Sequence, residues 1–119
     1  MKYKSRLLKT CKECIVFVYE AQLIHNIDYI ISKHPFIKKY AYIFHSQYNE
    51  YFHIFPHYHV YLNFGLKRLP LWVIQSWFGM NVSVNEVDKK CFIIDYFLHN
   101  CDLEPDYSLE DIKSNFDLK

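Results

Sequence analysis

His57 and His59 flank a single tyrosine, and the apolar stretch Val60-Tyr61-Leu62-Asn63-Phe64 follows at once. In an extended strand, side chains alternate between faces, so residues two apart point the same way. The β-branched and aromatic run favours a strand. His57 and His59 can therefore present two imidazoles to one divalent metal ion on a rigid support. His45 closes a second apolar run, Tyr40-Ala41-Tyr42-Ile43-Phe44. If that run pairs antiparallel with the first, His45 reaches the same ion as a third ligand. Three neutral imidazoles leave coordination positions open for a substrate oxygen.

Tyr96 and His99 are three residues apart in a segment with helical patterning, and such residues share a face. A phenol is a weak nucleophile near neutral pH because its free pKa is about 10. It needs a base, a cation or a polarised target. A tyrosine beside a metal that binds a phosphodiester suits in-line attack on phosphorus, with a transient phosphotyrosyl link.

These groups must be held by ordered elements. Residues 15–19 read as a strand. Asn26 can cap a helix through Ile27, Tyr29, Ile30 and Ile31 that ends near Pro35. Residues 40–45 and 57–64 are strands, with a loop or short hairpin over 47–55 and a turn over 65–69. Pro70 suits the first position of a helix and Gly79 the stop just past its end. Between them, Leu71, Ile74, Trp77 and Phe78 form an apolar stripe. Val82, Val84 and Val87 mark a further strand, with a break in alternation near Asn85-Glu86. Residues 92–99 read as a helix. The spacing of Leu109, Ile112 and Phe116 predicts a last helix over 107–116, capped by Ser108. The order implies an α+β fold, an antiparallel β-sheet with helices packed on one face. The ferredoxin-like or RRM-like arrangement is its nearest template. The 119 residues fit one domain, 1–119.

Composition narrows the classes further. Only two glycines occur, which excludes a glycine-rich phosphate loop. Eleven Tyr and ten Phe suit a sheet core or stacking on bases. The net charge of +1 is small for a strong nonspecific grip on nucleic acid. Local basic clusters exist, including Lys67 with Arg68. Cys11-x-x-Cys14 invites a zinc or redox reading, but Cys91 and Cys101 are too far apart to complete a zinc site. Free cytosolic thiols are expected. No stretch of roughly eighteen apolar residues occurs, so no membrane span is expected. Charges interrupt the basic start before any long apolar core, so no secretory signal is expected and the compartment is cytoplasmic.

Four segments, in this order, resemble the small initiator (Rep) proteins of rolling-circle plasmids from Gram-positive bacteria, of the His-hydrophobic-His endonuclease class. They are Phe44-His45, then Pro56-His57-Tyr58-His59-Val60, then Asp95-Tyr96-Phe97-Leu98-His99. The fourth runs from Tyr107 to Lys113, with Asn115-Phe116-Asp117 after it. The resemblance is to their origin-binding and nicking domain and covers most of the chain. It implies that His45, His57 and His59 hold a divalent metal, Mn2+ or Mg2+, and that Tyr96 attacks the scissile phosphate. His99 would position Tyr96 or contact the phosphate. The implied activity is metal-dependent single-strand nicking of a plasmid replication origin through a 5′-phosphotyrosyl link. The partner would be origin DNA, double- and single-stranded. Many such initiators carry an oligomerisation domain, which leaves a homo-oligomer open.

One departure stands out. Relatives usually read His-Asp-Lys-Asp at the first motif, where the last Asp is a metal ligand. Here the stretch is His45-Ser46-Gln47-Tyr48, and Glu50 or Asn49 would have to substitute. That departure motivates the alternative, a DNA-binding module of the same fold with impaired catalysis. A histidine-nucleophile phosphoesterase fits worse: Tyr61 occupies the place of a third alternate histidine, and no His-x-Ser or His-x-Thr motif occurs.

Overall fold

The alternation of the strands separates two sheet faces, and those faces place everything else. The computed structural model describes residues 9–79, 82–87, 97 and 107–118. Its elements are β1 (Thr10–Cys11), β2 (Glu13–Tyr19), α1 (Ile27–Lys33), β3 (Lys39–His45) and β4 (His57–Asn63). They continue with β5 (Leu69–Pro70), α2 (Leu71–Phe78), β6 (Ser83–Glu86) and β7 (Lys113–Ser114). The main sheet runs β6-β2-β4-β3-β7 and is antiparallel throughout. A separate two-residue ladder joins β1 to β5.

Cys14, Val16 and Val18 of β2 share one face with Val60 and Leu62 of β4 and Val84 of β6. Ile27 and Ile30 of α1 and Leu71, Ile74 and Phe78 of α2 pack onto it. Each such aliphatic side chain contributes about 1.5–3 kcal/mol on burial, so this apolar layer is the main force holding the helices down. The expected α+β architecture is what the described residues show, an antiparallel sheet with the two short helices α1 and α2 on one face. No described helix is long and apolar enough to cross a membrane.

Both helices start and stop where local chemistry dictates. The Asn26 side chain accepts the Tyr29 N–H at 2.8 Å, which caps α1. Pro70 lacks an N–H that a helix start would leave unpaired, and it serves as the cap residue of α2. Gly79 ends α2 with φ 151°, and a Cβ there would stand 2.4 Å from the Gln22 carbonyl oxygen. Only glycine fits that approach.

At the end of α1, the His34 ring stacks on Trp77 of α2 at 4.0 Å and 15°. Burial holds the His34 pKa below its ordinary value. The unfolded chain then binds the proton more readily than the folded one. The stabilisation is present in full above the unfolded pKa of about 6.5 and is lost as pH falls through the folded value. Urea midpoints compared at neutral and mildly acidic pH are expected to fall less steeply for His34→Gln than for the native chain. Parallel pH profiles would remove His34 from the account.

The second face differs from expectation. Ile15, Ala41, Ile43 and Tyr61 lie there under Phe97 and Ile112, with Tyr107, Phe116 and Leu118 packed alongside. The expected helix over 107–116 does not form. Ser108 starts a single 3-10 turn, Leu109–Asp111, whose Asp111 carboxylate accepts the Ser108 N–H at 2.8 Å. The chain then extends, and β7 pairs with Ala41 and Tyr42. Asn115 continues that pairing through its side chain: Oδ1 accepts Tyr40 N–H at 2.8 Å, and Nδ2 donates to Lys38 O at 3.1 Å. Hydrogen bonds offered by the open edge of β3 outweigh the helical spacing of three apolar residues. Of the expected helix over 92–99, all but Phe97 lies outside the described residues; Phe97 is helical and fully buried.

Candidate metal centre

Register brings the histidines together. His45 is the direct partner of His57 across the β3–β4 ladder, and His59 lies opposite Ile43. His57 and His59 share the second face by the alternation of β4. The three offer ligand nitrogens that all lie within 4.8 Å of one another. Their ring centroids are 5.0, 4.7 and 5.0 Å apart. His45 and His57 are 1% and 7% exposed, whereas His59 is partly exposed, so the cluster opens on the His59 side.

Two of the three tautomers are set by backbone carbonyls. A carbonyl only accepts, so the ring nitrogen facing it carries the proton. His57 Nδ1–H donates to Phe55 O at 2.7 Å, which leaves the lone pair on Nε2. His45 Nε2–H donates to Phe97 O at 3.0 Å, which leaves the lone pair on Nδ1. Such outer hydrogen bonds orient ligand imidazoles and raise their basicity.

Aromatic rings hold the imidazoles from the sides. Phe17 of β2 stacks on His57 at 4.8 Å and 25°, and Tyr107 stacks on His45 at 4.3 Å and 7°. The Tyr107 hydroxyl donates to Gln47 Oε1 at 2.8 Å and accepts Ser46 N–H at 3.2 Å, which fixes the ring over His45. None of Phe17, Phe55 or Tyr107 was marked as part of the site by sequence reasoning. The strand period alone could have put Phe17 on this face, once the register of β2 against β4 was known. Nothing local marks Phe55, and Tyr107 opens the fourth segment of the resemblance without a role assigned to it there.

The donor set can be tested against the implied ion. Three nitrogens bound to one tetrahedral ion stand roughly 3.3 Å apart, so a cluster whose ligand atoms lie within 4.8 Å of one another must close by side-chain rotation. Imidazoles suit borderline transition ions, whereas Mg2+ demands oxygen. The residues therefore fit a divalent transition ion and fit Mg2+ poorly. Glu50 is not among the clustered groups. It lies exposed in the turn between Asn49 and Ile54, and its carbonyl accepts His53 N–H at 3.1 Å. The Asn49 side chain is engaged in the same turn, with Oδ1 accepting Phe52 N–H at 3.2 Å. Glu13 lies further along the second face, where Tyr61 and Asn63 donate to its carboxylate. Burial and that carboxylate push the Tyr61 phenol up to about 12. Tyr61 is therefore a hydrogen-bond donor and no ready nucleophile. Tyr96 and His99 lie outside the described residues.

A groove of about 610 Å³ is lined by Tyr19, Tyr48, Phe55 and Pro56 with Glu20, Gln22 and His53. Two of its lining residues touch the histidine cluster: the Phe55 carbonyl accepts from His57 Nδ1, and the Tyr19 ring lies 6.3 Å from that of His57. The loop above it exposes Tyr48, Tyr51 and Phe52 at 63%, 83% and 52%. The basic pair lies elsewhere. Lys67 and Arg68 follow β4 at its far end, about 20 Å along the strand from His57. Arg68 is held by Thr10, through Oγ1 at 2.9 Å and O at 2.7 Å, so it ties β1 to β5.

No family model and no curated protein matches this sequence.

Proposed function

We propose that the chain is a metal-dependent, site-specific DNA nickase that starts rolling-circle replication of a plasmid. The convergence of His45, His57 and His59 carries this reading. In this reading the sheet is ferredoxin-like: β6-β2-β4-β3 order, with α1 after β2 and α2 after β4, supports it. His45 Nδ1, His57 Nε2 and His59 would hold one divalent ion. That ion would supply Lewis-acid charge withdrawal at a nonbridging phosphate oxygen. Tyr96 is the nucleophile; its phenol oxygen bonds to phosphorus as the bond to the 3′ oxygen breaks. The DNA 5′ phosphate stays on Tyr96 and a 3′ hydroxyl is released. His99 positions Tyr96 or contacts the phosphate. The aromatic groove supports a single-stranded substrate, because unstacked bases bind on aromatic faces.

Tyr48→Ala is expected to weaken binding of a single-stranded oligonucleotide by about 1–3 kcal/mol. Fluorescence anisotropy at fixed salt measures it, and an unchanged affinity would remove the groove from the DNA path. Among the described residues no carboxylate joins the histidine cluster, which favours one second reading, a module that binds DNA without cutting it. Incubation of a supercoiled origin plasmid with Mn2+ separates the two. The nickase gives relaxed circles with protein covalently attached; the module gives bound, intact plasmid.

A further inference from the structure

We propose that Cys11 and Cys14 form a reversible intrachain disulfide, a thiol-modification site on the sheet face opposite the histidines. Both side chains are fully buried in the apolar layer under the helices. Lys12 and Glu13 separate them at the bend between β1 and β2, and each thiol is the largest influence on the other's pKa. The two free thiols thus lie three positions apart in one structured segment and in one apolar cluster.

The surroundings make the two sulfurs unequal. The Arg68 guanidinium is bound to Thr10, the residue before Cys11. Lys9 lies nearby, paired with Glu86 at 3.2 Å. Cationic neighbours favour a thiolate. Cys14 and these cations lower the Cys11 pKa, against burial and Glu86; Cys11 and burial raise that of Cys14. Cys11 is the attacking sulfur and Cys14 the resolving one.

The oxidant is a low-molecular-weight disulfide of the glutathione type. The Cys11 thiolate attacks one of its sulfurs, forming a mixed disulfide and expelling one thiolate. Cys14 loses its proton and attacks Cys11 Sγ, forming the intrachain bond and expelling the second thiolate. The two protein thiol protons end on the two released small thiols, and two electrons pass from the protein to the oxidant. Access needs local opening of β1, which two residue pairs, the Arg68 bonds to Thr10 and the backbone bonds of Leu71 to Lys9 and Phe64 to Lys12 hold in place.

The full chain is incubated with reduced and oxidised glutathione in graded ratios, without denaturant, then alkylated and digested with trypsin. Cleavage after Lys12 separates residues 10–12 from 13–33, while Cys91 and Cys101 remain together in a third peptide. Oxidation is expected to join 10–12 to 13–33 in a species two hydrogens lighter than their sum, reversed by reductant. Cys14→Ser is expected to accumulate glutathione on Cys11. Two free alkylated thiols under excess oxidised glutathione would overturn the proposal. So would a crosslink that forms only in urea, or a Cys14→Ser chain that gains no adduct at Cys11.

Discussion

His57→Ala is expected to weaken divalent-metal binding by at least about 100-fold. Loss of an outer hydrogen bond to a metal ligand alone typically costs 10–100-fold, and this substitution removes a donor outright. The remaining pair, His45 and His59, can hold an ion only as two exchangeable ligands. Isothermal titration with Zn2+ or Mn2+ gives the affinity directly. Thermal unfolding gives an independent reading, because an ion at a hundred times its dissociation constant stabilises the folded state by about 2.7 kcal/mol. The native chain should gain that stabilisation and the variant should not. Affinity should rise from Mn2+ to Zn2+, following the imidazole donors, and Mg2+ should bind weakest. Equal binding by native chain and variant would place the ion elsewhere.

Tyr96→Phe is expected to abolish the covalent protein–DNA link and to slow nicking by at least about a thousandfold. Removal of a nucleophile takes away the reacting atom, and such losses are among the largest seen in mutant enzymes. Metal affinity should not change, because a phenylalanine leaves the three imidazoles in place. Tyr107→Phe is the informative companion. Its ring lies on His45 and its hydroxyl is occupied by Gln47 and Ser46. It should keep the covalent link, with a weaker hold on the His45 ring. A denaturant-stable adduct on gels separates the cases. An adduct in Tyr96→Phe that vanishes in Tyr107→Phe would transfer the nucleophile's role to Tyr107.

Much of the sheet was legible because its information is local. Alternation in residues 15–19, 40–45 and 57–64 identifies three strands, and Asn26, Pro70 and Gly79 punctuate the helices. The break in alternation expected near Asn85-Glu86 does not occur: pairing with β2 runs in register through both residues, and Val84 under the helices with Val87 against the opposite cluster is what unbroken alternation requires. The histidine cluster was legible for the same reason. A two-residue period puts His57 and His59 on one face, and antiparallel pairing brings the end of β3 to the start of β4.

What escaped the sequence depends on contacts between distant residues. Leu109, Ile112 and Phe116 have helical spacing, yet the unpaired edge of β3 draws that segment into extended pairing. The stacking of Tyr107 on His45 joins residues far apart in the chain. The carbonyl that Phe55 turns toward His57 depends on a loop whose His53 takes φ 56°, a choice no local residue pattern announces. Glu50 was a candidate by nearness in sequence alone, and the turn from Asn49 to Ile54 leaves it outside the cluster.

X-ray absorption at the metal edge, on protein loaded with one equivalent of Zn2+, tests the central claim most directly. Three imidazole nitrogens on one ion predict nitrogen donors at about 2.0–2.1 Å with imidazole multiple scattering, diminished in His57→Ala. A spectrum with oxygen donors alone, or one that His57→Ala leaves unchanged, would contradict it.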